Sequence, residues 1–249
     1  MERKGAREKL EESFMSMPPL LYGKPLKIEE KGNYLGEELG LNVSESVSLT
    51  IRKRIGLATK AIFEIKSVIE DTRSKMVGGI LSRVLLWQSS VLPFLLNNSS
   101  CWMEIKKRDM DKLIKLQNLF LSVLLGVKNC PTPLMLWDLK ILSMPLQILK
   151  SKLILYHHIS TLPENALSYQ ILCQQERLNL PSVFDDIRSF LARYEVVDIK
   201  SFTKKEWATF VKKCIHNENR EYLLDASKRY KKLDYLGLSC EDYEVKPCF

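Results

Sequence analysis

The sequence predicts a mainly α-helical protein that begins with a short β-stranded segment. From Asn42 onwards, apolar residues recur every three or four positions, which is the period of one helix face. Strand-like segments bounded by turn residues occur before that point. The 249 residues are 45% hydrophobic, which is enough to bury a substantial core. We therefore expect three parts: a β-containing segment over 1–43, a helical bundle over 44–163 and a helical C-terminal extension over 164–249.

The β-strands are predicted at 25–28 and 33–36, joined across Lys31 and Gly32 as a small hairpin or as two edge strands. In the second strand, Tyr34 offers an aromatic ring and a hydroxyl that could stack on a partner or donate a hydrogen bond to it. Gly36 permits a backbone turn that other residues resist.

The first long helix is predicted to start at Ser44, a residue type that caps helix N-termini. Its apolar face consists of residues three or four positions apart: Val47, Ile51, Ile55, Ala58, Ile62, Ile65 and Ile69. Arg54 flanks this face, and its charged end is expected to reach solvent. The opposite face holds Gly56 among three cations: Arg52, Lys53 and Lys60. Such a face suits an approaching phosphate backbone, and it is also typical of an ordinary solvated helix.

An apolar segment over 76–96 is long enough to be considered as a membrane span. Arg83 and Gln88 lie in its middle and Pro93 lies near its end. A charge in the middle of a bilayer is costly, so we expect a central core helix and no membrane contact.

The next helix is predicted from Asp109 to a C-cap at Gly126. Gln117 and Asn118 are expected on its more polar side. The inward-facing residues are expected to be Leu113, Leu116, Phe120, Val123 and Leu124.

Prolines predict the helices that follow, a short one from Pro133 and a longer one from Pro145. Domain boundaries are expected near 163–165 and near 198–201. Two capping boxes predict further helix starts: Ser182 with Asp185, and Thr203 with Glu206.

No catalytic or metal-binding residue is predicted, and no small-molecule substrate. Asp185 and Asp186 are adjacent, but they lie at a predicted helix start, where the helix dipole favours carboxylates. His157 and His158 fall within an apolar helix. The remaining histidine, His216, is near Cys214 but lacks the second pair of ligands that a zinc site requires.

The net charge of +8 favours a polyanionic partner, nucleic acid before a membrane surface. Six scattered cysteines and the absence of a secretory signal indicate reduced thiols in the nucleus or cytoplasm. Cations around an aromatic ring suit single-stranded nucleic acid, and a solvated helix end explains them equally well. The densest such cluster surrounds Tyr230 and consists of Lys228, Arg229, Lys231 and Lys232.

A series of motifs resembles the last palm strand and the thumb of reverse transcriptases from non-LTR (LINE-type) retrotransposons. In chain order they are Tyr34-Leu35-Gly36, Leu92-Pro93, Trp102, Gln117-Asn118 and Leu125-Gly126. The resemblance departs from the family at 95–98, where relatives carry an aromatic and a small or acidic residue. It implies a thumb-like helical bundle whose first helix lies along a template–primer duplex, with Tyr34 and Gly36 near the primer end.

The resemblance also implies the partners: an RNA template, a DNA primer and the remainder of the polymerase. In this family the catalytic aspartates precede such a segment, so we expect this chain not to polymerise on its own. Magnesium would be bound by the palm domain that carries those aspartates, and no cofactor is expected in this chain. Two alternatives stay open, a helical protein–protein interaction module and a decayed retroelement product without a selected function.

Overall fold

The computed structural model describes residues 43–71, 84–103, 105–126, 131–178 and 184–228, together with four short strands between 20 and 39. Side chains are described in these helical ranges except at 67–71, 124–125 and 227–228. This part of the chain is mainly helical, as predicted. The helices are α1 (Val43–Asp71), α2 (Leu92–Leu96), α3 (Lys107–Leu125), α4 (Thr132–Asp138), α5 (Met144–Ser160), α6 (Leu167–Arg177), α7 (Asp185–Arg193) and α8 (Lys204–Lys228).

The predicted hairpin between 25–28 and 33–36 is not supported. Strands of two or three residues instead form two separate antiparallel pairs: β1 (Leu20–Leu21) with β2 (Lys24–Pro25), and β3 (Gly32–Tyr34) with β4 (Glu37–Leu39). In each pair the partners are only two residues apart in sequence. Such pairing closes a shorter loop than the predicted hairpin and therefore costs less chain entropy.

A first hydrophobic core forms between α1, α3, α4 and the segment 84–102. The predicted apolar face of α1 supplies Ile51 and Ile62, both fully buried. Trp87 and Phe120 stack at its centre, with 4.4 Å between their ring centroids. Because α1 begins at Val43, the predicted cap Ser44 lies one residue inside the helix.

The helix predicted over 76–96 is described from residue 84, and it is not regular. A π-helical turn over Trp87–Val91 precedes α2, and the N–H of Leu92 donates to the carbonyl of Trp87 five residues back. Pro93 has no N–H, and in a regular α-helix its ring collides with the carbonyl four residues earlier. The wider π turn accommodates this, so the helix continues to Leu96. Among the described helices, none is long and apolar enough to cross a membrane.

A second hydrophobic core packs α5 against α6, α7 and α8. Its largest buried side chain is Trp207, whose Nε1–H donates to the carbonyl of Leu153 at 2.9 Å. Helices α5 and α8 take part in both cores, because Met144 and Leu223 belong to the first. The two cores are therefore joined by a pair of shared helices.

The predicted helix ends have mixed outcomes. The capping box at α8 is confirmed: the N–H of Thr203 donates to the Glu206 carboxylate at 2.8 Å, and the N–H of Glu206 donates to the Thr203 hydroxyl at 3.3 Å. Gly126 ends α3 in the left-handed conformation, also as predicted. The box predicted from Ser182 is wrong, because α7 begins at Asp185 and the capping position falls on Phe184. Ser182 itself lies outside the described residues.

Candidate nucleic-acid interface

The three cations predicted on α1 lie on the side of the helix that faces away from the core. Arg52 and Lys60 are exposed, and Lys53 is partly buried. Gly56 is exposed between them, and a Cβ placed on it would meet no atom of the described residues within 4 Å. The helix backbone is thus open to a ligand at Gly56, with a cation on either side of it.

Two further side chains shape this face. Lys60 forms an ion pair with Glu64 across 3.9 Å, in which the two side chains are 78% and 67% exposed. Exposed pairs of this kind contribute little free energy, so a phosphate can compete for Lys60. Phe63 is 55% exposed and follows Gly56 by seven residues, which places its ring on the same face. Sequence analysis missed Phe63, although its spacing from Gly56 was the signal that could have found it.

The structure brings only the α1 residues of the predicted interface into a described arrangement. Tyr34 lies in β3 and Lys228 ends α8, but the side chain of neither is described. The remaining predicted residues lie outside the described part of the chain: Gly36, Arg229, Lys231 and Lys232.

Two polar residues expected near solvent are buried. The prediction that the Arg54 side chain reaches solvent is wrong, because the residue is only 7% exposed. Gln117 is 1% exposed. Its Nε2 donates to the carbonyl of Leu142 at 2.9 Å, and its Oε1 accepts from the N–H of Met144 at 3.2 Å. The start of α5 covers this face of α3, which the period of α3 alone does not reveal.

Two of the residues weighed for chemistry, Asp186 and His157, have structural partners. Asp186 accepts a hydrogen bond from the buried ammonium of Lys152 at 2.6 Å. His157 is buried, with its Nε2 2.9 Å from the carbonyl of Phe202. In the ranges with described side chains, no group of three or more His, Cys, Asp or Glu could hold a metal ion.

A second group of cations meets where α5 packs against α8, and sequence analysis missed it. Lys150 comes from α5, and Lys212 and His216 come from α8. Burial lowers the pKa of His216, and the charges of Lys150 and Lys212 lower it further. The spacing of four between Lys212 and His216 was visible in the sequence, but nothing in it linked them to Lys150.

The comparisons with known proteins find no relative. No protein-family model, no curated protein and no solved structure matches this chain. The reverse-transcriptase resemblance therefore stays a prediction from the sequence motifs.

Proposed function

We propose that this chain binds a nucleic-acid duplex along α1, as a fragment of a non-LTR retrotransposon reverse transcriptase that lacks polymerase activity of its own. Its partners are an RNA template, a DNA primer and the rest of the polymerase, whose palm would hold the magnesium ions. We expect it to act in the nucleus or the cytoplasm. The observation that carries the proposal is the open face of α1, where Arg52 and Lys60 flank Gly56 on the side away from the core.

The dimensions of this face suit a phosphate backbone. Arg52 and Lys60 are eight residues apart, which corresponds to about 12 Å along the helix axis. Phosphates on one strand of a duplex follow one another every ~3.4 Å along its axis, so the two cations reach different phosphates. Gly56 lets the backbone come close between them, and the ring of Phe63 offers an apolar surface to a sugar or a base.

Salt dependence of binding tests the proposal. Binding of an RNA–DNA hybrid to the full chain is measured by fluorescence anisotropy over a series of salt concentrations. Each cation that contacts a phosphate adds about one to the slope of log K against log salt. Replacing Arg52, Lys53 and Lys60 together by Gln should lower that slope by about two to three and weaken binding.

A matched variant controls for the loss of net charge. Lys107, Arg177 and Lys204 are exposed on three other helices, and replacing them by Gln removes the same three charges. This variant should keep most of the parent's slope and affinity. The proposal fails if parent binding is absent or independent of salt, or if the two triple variants lose affinity equally.

One observation favours a helical interaction module as the second candidate. A groove between α1 and α2 is lined mostly by apolar side chains, including Ile65, Leu86 and Phe94, and Phe94 is 56% exposed. Exposed apolar surface of this kind is typical of protein-binding sites. Two results together would favour the interaction module over the nucleic-acid interface. The Gln triple variant would bind the hybrid like the parent, and the parent would self-associate in sedimentation experiments while Phe94→Ser would not.

A further inference from the structure

The second cationic group lies in the contact between α5 and α8. Lys212 and His216 are one turn apart on α8, and residues four positions apart are neighbours on a helix surface. Lys150 lies between Ser143 and Leu153, which hydrogen-bond to Asn219 and Trp207 of α8, so it runs alongside the part of α8 that holds Lys212 and His216. Lys150 and His216 are partly buried, and Lys212 is exposed. Arg220 continues the same row one turn beyond His216. Two helices thus gather basic side chains at the edge of their contact.

Nothing in the described structure compensates this charge. Within the residues whose side chains are described, neither Lys150 nor Lys212 lies within 4.0 Å of a carboxylate oxygen. Among the described residues, the buried Nδ1 of His216 and the buried Nε of Arg220 have no hydrogen-bond partner. Burial lowers the pKa of Lys150, and the nearby charge of Lys212 lowers it further. The charged forms of Lys150 and His216 are therefore disfavoured in the folded protein when no anion is present.

We propose that Lys150, Lys212 and His216 form a binding site for a phosphate group, either free or within a nucleic-acid strand. Two ammonium groups and an imidazole provide the charge and the hydrogen-bond donors that phosphate oxygens require. Bound phosphate also offsets the repulsion between the two ammonium groups. The site lies on helices other than α1, so it stands whether or not α1 binds a duplex.

Binding at this site takes up a proton. A bound anion favours the charged form of His216, whose pKa is otherwise lowered by burial and by Lys150 and Lys212. The other cations near it on α8 are Lys213, three residues before it, and Arg220, four residues after it. Helix α4 also packs on α8, and its one carboxylate is Asp138, whose pKa is raised by burial although Lys140 opposes the shift. Affinity for an anion should therefore rise as the pH falls from about 7.5 to about 5.5.

Titration of the full chain with inorganic phosphate tests the site. The His216 ring signals are followed by NMR and assigned with His216→Gln. We expect these signals to shift on binding and the thermal midpoint to rise with phosphate concentration. Sulfate serves for the pH series, since its own charge stays constant over that range. A single-stranded oligonucleotide that displaces phosphate identifies the nucleic-acid backbone as the ligand, whereas no displacement restricts the ligand to free phosphate.

Single variants separate this site from non-specific attraction. Lys150→Met and Lys212→Gln should each weaken phosphate binding about tenfold or more, the effect of losing one charge-assisted hydrogen bond. Both relieve repulsion, so both should fold at least as well as the parent. Lys204→Gln removes a charge from an exposed lysine of the same helix, about 12 Å along its axis from Lys212, and should bind like the parent. An unshifted His216 signal at about 10 mM phosphate, or equal losses in all three variants, would overturn the proposal.

Discussion

The ion pair between Lys152 and Asp186 should respond very differently to the loss of each partner. The Lys152 side chain is 3% exposed and that of Asp186 is 66% exposed, with 2.6 Å between Nζ and Oδ2. Asp186→Asn leaves an ammonium group buried without its counter-charge. Breaking a fully buried pair in this way costs about 3–5 kcal/mol. Because one partner here is mostly exposed, we expect about 1–3 kcal/mol, since solvent screens part of the lost attraction.

The reverse change should be mild. Lys152→Met removes the buried charge, keeps most of the side-chain volume and leaves Asp186 to be solvated, so its cost should stay within about 1 kcal/mol. The double variant should resemble Lys152→Met alone, because Asp186 then has no buried charge to neutralise. Asp185→Asn provides the control: Asp185 lies 3.9 Å from Arg188 in an exposed pair, worth about 0–1 kcal/mol.

Urea unfolding of the four variants measures these differences without adding salt. At an unchanged m-value, the midpoint should fall clearly for Asp186→Asn and little for Lys152→Met. Parent-like stability of Asp186→Asn together with a large loss in Lys152→Met would refute the reasoning. It would mean that the lysine stabilises the fold through its aliphatic stem rather than requiring a counter-charge.

Three further predictions concern stability. Gly56→Ala should stabilise by about 0.5–1 kcal/mol and raise the thermal midpoint by a few degrees, because the added methyl enters open space in a helix; an unchanged midpoint would contradict this. Gln117→Leu should cost about 1–3 kcal/mol in urea unfolding, since the buried N–H of Met144 loses its acceptor, and a neutral result would show that another group replaces it. Ser48→Ala should cost about 1 kcal/mol at neutral pH, because Ser48 donates to Asp109 at 2.7 Å. Burial raises the pKa of the Asp109 carboxyl. Hydrogen bonds from Lys112 and Ser48, together with the charges of Lys112 and Arg108, lower it by more, so the net shift of the pKa is downward. The stability from this carboxylate is therefore present above its ordinary pKa of 3.8 and is lost as the pH falls through its lower folded pKa. The Ser48→Ala difference should fade over that acid range, and one that persists at still lower pH would rule out the linkage.

The helical period predicted those parts of the fold that depend on one segment at a time. The apolar face of α1 and the end of α3 at Gly126 follow from local spacing and backbone preference, and both are confirmed. The same local reasoning placed Gln117 near solvent. Burial of Gln117 depends on the start of α5, some 25 residues away in sequence, and no period within α3 carries that information.

The candidate sites divide in the same way. The cationic face of α1 could be predicted because its residues share one helix. The cluster of Lys150 with Lys212 and His216 could not, since it depends on how α5 and α8 pack against each other. The π turn before Pro93 shows a third limit: the proline was visible, but a proline alone does not indicate whether the helix stops or widens.

The sharing of α5 and α8 between the two cores has a consequence for cutting the chain. A fragment that ends at Ser160 contains all the cationic residues of α1 but loses α8, which covers α4 and α5. Its truncated surface would expose Leu153 and remove the partner of the Ser143 N–H, which donates to Asn219 at 3.1 Å. Such a fragment should be prone to aggregation, so we expect that a stable unit displaying α1 needs α8 as well.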